Sequence, residues 1–176
     1  SLKLSGKETL YFDNETFLNS DKSIRGGIPI LFPNAGPVRT TSFLSQLPQH
    51  GFVRDMQWQG SLYKNFFENK ITSSKETLNI YPYDFILTTK GFFNDDGSFT
   101  FSQKIENTGK EILPISCGLH PYFKVNNSEK KNIVFNFSGG EMIQEKFSEW
   151  SEGNFISIDN PKIIDPSALL NITIPD

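Results

Sequence analysis

Cysteine, histidine and long apolar runs are scarce in this chain. Its one cysteine, Cys117, excludes an internal disulfide, and no Cys/His cluster has the spacing of a zinc site. No metal or other cofactor is therefore expected, and a reducing compartment, the cytoplasm, is the expected location. The sequence has no uninterrupted apolar stretch of the roughly eighteen residues that a membrane helix needs, and it does not open on a charged-then-apolar signal pattern. A formal net charge of −3 and a pI near 5.4 leave no basic footprint for nucleic acid or an anionic membrane. Any anion site must be local. A sustained 3.6-residue apolar period is missing too. Helix is expected only as short turns, one capped within Ser73-Ser74-Lys75-Glu76-Thr77 and one over 144–150.

What the chain does have is phenylalanine and turn formers: 17 Phe, 13 Gly and 10 Pro in 176 residues. Strand-forming aromatics between frequent turns are the composition of an all-β fold, and the length suits one domain over residues 1–176. Phe99, Phe101, Gln103 and Ile105 alternate with Ser98, Thr100, Ser102, Lys104 and Glu106, then meet an Asn107-Thr108-Gly109-Lys110 turn. Further strands are expected at 85–89, 133–137 and 168–174, with a hairpin pairing 2–4 with 9–12 around Ser5-Gly6-Lys7. Gly91 and Gly97 are expected to end or bend the strands beside them. The segment 112–119 carries Pro114 and belongs at a sheet edge or bulge. Cys117 within it reads as a small buried hydrophobe.

The stretch Arg25-Gly26-Gly27-Ile28-Pro29-Ile30-Leu31-Phe32-Pro33-Asn34-Ala35-Gly36-Pro37 is too apolar for a linker and too rich in Pro and Gly for regular structure. It reads as a shaped, packed loop, a common place for binding residues on a β scaffold. The two histidines also sit in constrained frames, Gln49-His50-Gly51-Phe52-Val53-Arg54 and Gly118-Leu119-His120-Pro121-Tyr122-Phe123. Imidazole gives or takes a proton near neutrality, which points to proton-transfer chemistry, although an isolated histidine is more often a hydrogen-bonded strand end. Arg25, followed by two glycines, and Arg54 each offer a planar fork for phosphate or carboxylate oxygens. Taken singly, each also reads as a solvated or structurally paired arginine.

Four motifs in order, Arg25-Gly26-Gly27-Ile28-Pro29 leading to Phe32-Pro33, Leu47 to Asp55 with Trp58, Tyr81-Pro82-Tyr83-Asp84-Phe85, and Gly118 to Phe123, resemble the hexose-6-phosphate mutarotases, a branch of the aldose 1-epimerase family. The resemblance implies a twisted antiparallel β-sandwich of the galactose-mutarotase-like supersandwich type, and it implies cofactor-independent exchange of α and β anomers of a hexose 6-phosphate. It implies His120 as the general acid on the ring oxygen, with His50 beside it holding or polarising the sugar. Arg25 and Arg54 would hold the phosphate, and Gln49 would add a hydrogen bond.

The resemblance further implies a glutamate base in a late Glu-Pro strand. This sequence has no Glu-Pro, and its last glutamate is Glu152. Both ends also read as cut within strands. The expectation is a partial sandwich whose base lies beyond Asp176; Glu141 and Glu145 are the substitutes within the chain, though both also read as surface charges. The missing base keeps open a non-catalytic carbohydrate-binding sandwich, and a mutarotase of unphosphorylated aldoses is a further alternative. A metal-dependent sugar isomerase would need a second His or Glu at ligand spacing, which neither histidine has.

Overall fold

Alternating side chains dictate the main sheet. The computed structural model describes residues 2–4, 6–19, 25–38 and 42–128 and two strands at 134–138 and 169–173. The chain divides into two compact units, Ser1–Phe123 and Lys124–Asp176.

In the first unit, β1 (Lys3–Leu4) and β2 (Lys7–Glu8) form a small antiparallel hairpin around Gly6. Its second strand falls earlier than the expected 9–12, because Leu10 and Phe12 instead bridge Phe123 and Gly26. A five-residue helix, α1 (Asn14–Leu18), follows, capped by the Asp13 carboxylate. β3 (Ile30–Leu31) comes next, and 3-10 turns at Phe43–Gln46 and Val53–Asp55 lead to the sheet.

That sheet is an antiparallel meander of β4 (Gln59–Leu62), β5 (Phe66–Thr72), β6 (Phe85–Phe93) and β7 (Phe99–Asn107), in that order. β6 is paired on both edges and buries Phe85, Leu87, Thr89 and Gly91 on one face, which is the period-two pattern of a sheet covered on one side. Gly97 adopts φ +82° in the turn to β7, as expected. Gly91 does not end its strand. It lies inside β6 opposite Phe67, and a Cβ there would meet that ring and, at 2.9 Å, Cζ of Phe99. The glycine makes room for aromatics rather than for a bend.

Between β5 and β6, α2 (Lys75–Ile80) begins where the sequence suggests. Ser74 and Thr77 exchange backbone and side-chain hydrogen bonds in a capping box. Among the described residues α-helix is confined to the two short segments α1 and α2, as the β-rich sequence leads one to expect, and no helix is long and apolar enough to cross a membrane. β8 (Gly118–Leu119) is held to two residues near Pro114 and Pro121 and pairs with β3.

The core joins loop and sheet. Phe32 is fully buried, 4.8 Å from the ring of Phe85 and 6.0 Å from that of Tyr81, and Ile30, Leu47, Phe52, Val53, Ile71 and Leu87 complete the cluster. Tyr81 donates its hydroxyl proton to Pro114 O at 2.7 Å; burial and the electrostatic influence of Tyr83 hold that proton far above the usual phenol range. Cys117 is exposed, which corrects its reading as a buried hydrophobe: the Pro-bearing segment runs along the surface and contributes only Ser116, Gly118 and Leu119 to pairing. Neighbouring atoms still exclude enough water from its sulfur to push the thiol pKa up.

In the second unit, β9 (Val134–Ser138) and β10 (Leu169–Thr173) pair antiparallel, with Asn136 opposite Asn171. These match the expected strands at 133–137 and 168–174. The helical turn expected over 144–150, and Glu141, Glu145 and Glu152, lie outside the described residues.

Candidate active site

The Pro/Gly-rich loop is where three distant segments meet. At its start Gly26 has φ +139°, and a Cβ there would stand 2.7 Å from both Phe12 Cα and Tyr11 O, so glycine permits the segment 10–12 to lie against it. Gly27 N–H donates to Tyr11 O at 2.9 Å, and Tyr122 N–H donates to Gly27 O at 2.9 Å. One step on, His120 N–H donates to Pro29 O at 3.0 Å, and the β3–β8 pairing fixes the residues before His120.

The other histidine arrives on the far side of the same loop. Phe32 forms a parallel bridge with Gly51, and Phe52 N–H donates to Phe32 O at 3.1 Å. His50 has φ +73° and Gly51 has φ +67°, two successive left-handed residues. For a histidine this backbone costs on the order of 1 kcal/mol. The turn is held by Gly51 N–H donating to Pro48 O at 2.9 Å, and by His50 Nδ1 donating to the carbonyl of Ala35.

The result is a pair of imidazoles from segments remote in sequence. Their ring centroids are 5.6 Å apart and their planes nearly perpendicular at 73°. The Tyr122 ring lies 4.8 Å from that of His120. His120 is exposed and His50 half-buried, so one ring is open to water and the other is set into the loop.

The remaining expected site residues are placed less tightly. Gln49 is exposed and precedes His50 in the same turn. The main chain of Arg25 is fixed at the head of the loop, its N–H donating to Thr16 Oγ1 at 3.1 Å and its carbonyl accepting from Asp13 N–H at 3.0 Å, while the residue itself is exposed. Arg54 is exposed on the 3-10 turn after His50, with Nε 3.6 Å from Asp55 Oδ2. Among the described residues, neither arginine is hydrogen-bonded to a histidine. The Asp84 carboxylate, on the strand-entry motif Tyr81 to Phe85, accepts from Ser73 Oγ at 2.9 Å.

Two groups near His50 escape sequence reasoning, the Ala35 carbonyl that meets its Nδ1 and the Asn34 side chain, whose Nδ2 donates to Gly36 O and Pro48 O. A main-chain acceptor leaves no sequence signal. Asn34, the one amide side chain in the 25–37 stretch, does leave one. A separate, aromatic-walled cleft of about 710 Å³ is lined by Leu10, Ile28, Phe66, Phe92 and Phe99 among others, and neither histidine lines it.

Known proteins resemble the chain in sequence and in fold. The profile of the family described as aldose 1-epimerase matches residues 2–163. A protein of Cenchrus ciliaris, provisionally named glucose-6-phosphate 1-epimerase, is 25% identical over 161 residues, which cover 82% of this chain and 47% of that protein. A crystal structure of a Synechocystis sp. PCC 6803 protein superposes with a TM-score of 0.65 at 32% identity, covering 78% of this chain and 50% of its own. The structure of a galactose mutarotase related enzyme from Lactobacillus acidophilus shares the fold, with a TM-score of 0.59 at 20% identity over 76% of this chain and 45% of its own. The chain spans about half the length of these relatives.

Proposed function

The chain belongs to the aldose 1-epimerase family, and from that premise we propose that it carries the acid side of a cofactor-independent exchange between the α and β anomers of a hexose 6-phosphate. The observation that carries this reading is the pair of histidines 5.6 Å apart on one packed loop. Opening a pyranose requires a proton on the ring oxygen as the C1–O5 bond breaks and removal of the proton on the O1 hydroxyl. C1 then rotates, and the ring recloses on its other face. His120, exposed and able to reach a ligand, gives the ring oxygen its proton; His50, anchored through Nδ1, holds the sugar beside it. The O1 proton goes to a carboxylate that the family resemblance puts on a Glu-Pro dipeptide absent from this sequence.

Arg25 and Arg54 serve the phosphate as guanidinium forks, and Gln49 adds a hydrogen bond. Support for a phosphorylated substrate comes from the name of the Cenchrus ciliaris relative and from these two exposed cations. An unphosphorylated aldose is favoured by one observation, the Asp55 carboxylate that already faces Arg54.

The test uses the full-length protein and follows anomerisation of glucose 6-phosphate and of glucose by polarimetry. His120→Asn should lose about 10²–10⁴-fold in rate with the fold intact; unchanged turnover would sink the acid assignment. Arg25→Ala or Arg54→Ala should raise KM for glucose 6-phosphate far more than for glucose, and equal effects on both would remove the phosphate claim. Sugar-dependent thermal stabilisation without acceleration would select a binding module instead.

A further inference from the structure

Asn34 is 2% exposed, and its amide nitrogen is committed in full. Nδ2 donates to Gly36 O at 2.8 Å and to Pro48 O at 2.9 Å, which uses both of its hydrogens. Two carbonyls facing one end of the amide require the NH₂ group there, so Oδ1 points the other way, buried and without a partner among the described residues. Burying an amide is a costly way to fill space, and an apolar side chain would avoid the desolvation. What the amide does that an apolar side chain cannot do is join two segments.

Those segments are the two halves of the His50 anchor. Gly36 follows Ala35, whose carbonyl meets His50 Nδ1; Pro48 opens the turn on which His50 stands and also accepts from Gly51 N–H. Ala35 is fixed from behind as well, because its N–H donates to Ser116 O and Ser116 N–H donates to Pro33 O at 2.7 Å. A carbonyl can only accept. The nitrogen facing it must therefore carry the proton, and a neutral His50 then has its lone pair on Nε2, at the opposite edge of the ring.

We infer that Asn34 is a positioning residue: by bridging Gly36 and Pro48 it holds the Ala35 carbonyl on His50 Nδ1, keeps neutral His50 in the Nδ1–H tautomer and presents Nε2 as the acceptor for a sugar hydroxyl. The hydroxyl as ligand rests on the function proposed above. The tautomer does not.

The experiment is long-range ¹H–¹⁵N correlation NMR of the histidine side chains in the full chain, above their titration range and without substrate. The unaltered protein should show His50 protonated on Nδ1 by roughly tenfold over Nε2, the ratio that one net hydrogen bond supports. Asn34→Leu keeps the volume and removes both donors; it should move His50 toward the Nε2–H form that free histidine prefers and leave His120 unchanged. Asn34→Ser, able to reach at most one carbonyl at a time, should give an intermediate mixture. An Nε2–H signal for His50 in the unaltered protein overturns the inference whether or not the variants fold. So does a persistent Nδ1–H signal in folded Asn34→Leu. Turnover of glucose 6-phosphate alongside either result would leave the enzymatic reading standing and remove only Asn34, while the expected tautomers in a protein inactive on sugars would do the reverse.

Discussion

Gly51 shows how much one missing methyl group can position. A Cβ at this residue would fall on the carbonyl of Phe32 and lie 2.8 Å from Pro33 N, all main-chain atoms that cannot swing aside. Its φ of +67° adds left-handed strain for any L side chain. Gly51→Ala should lower stability by about 2 kcal/mol or more, read as a fall in the urea midpoint at constant slope. A change within about 0.5 kcal/mol would mean that the turn and the loop do not approach so closely. Because His50 is the preceding residue, a variant that folds should also have its imidazole displaced. The residue scale is also where the sequence was least legible in detail. The two histidine frames stand out from their Gly and Pro neighbours, but their approach to 5.6 Å depends on both segments bonding to residues 29–32, which no local pattern encodes. Cys117 shows the same limit: with nothing basic beside it in sequence to favour a thiolate it reads as a small buried hydrophobe, yet it is exposed, as are Ile115 and Leu119 on either side.

At the scale of elements, legibility follows how local the stabilising contacts are. α2 is written in its own sequence, because Ser74 Oγ accepts from Thr77 N–H at 3.3 Å and Thr77 Oγ1 accepts from Ser74 N–H at 2.8 Å. Ser74→Ala should cost about 1 kcal/mol, measured by chemical denaturation; no loss would show that the fully buried Thr77 holds the helix unaided. α1 carries no comparable apolar period. Its five residues depend on the Asp13 cap and on Thr16, buried and shared through Oγ1 between Asp13 O and Arg25 N–H, and the second of these contacts is non-local. The strands that become β6 and β7 were legible, the first from its run of β-forming residues and the second from alternation, though not their pairing. Gly91 was not, since its role is set by Phe67 on another strand. β3 lies between Pro29 and Pro33, which is why the loop expected from sequence contains only two residues of ladder.

For the molecule as a whole, the aldose 1-epimerase family assignment and the mostly β architecture were both within reach of the sequence, the first through four ordered motifs and the second through aromatics punctuated by Gly and Pro. Strand order was not, because pairing across a sheet is decided by packing between residues far apart in the chain. The loop 25–37 connects the two levels. It contributes Ile30 and Phe32 to the same cluster as Phe85 and Leu87 of β6, so the site is built on the core rather than laid over it. The sequence has two tryptophans, Trp58 and Trp150. Trp58 packs against that cluster and donates its indole N–H to Val53 O at 2.8 Å, inside the turn that bears Arg54. With Trp150 replaced by Phe, the protein would carry one fluorophore wired to that turn, and its emission colour would become an optical gauge of how firmly the arginine's platform is seated.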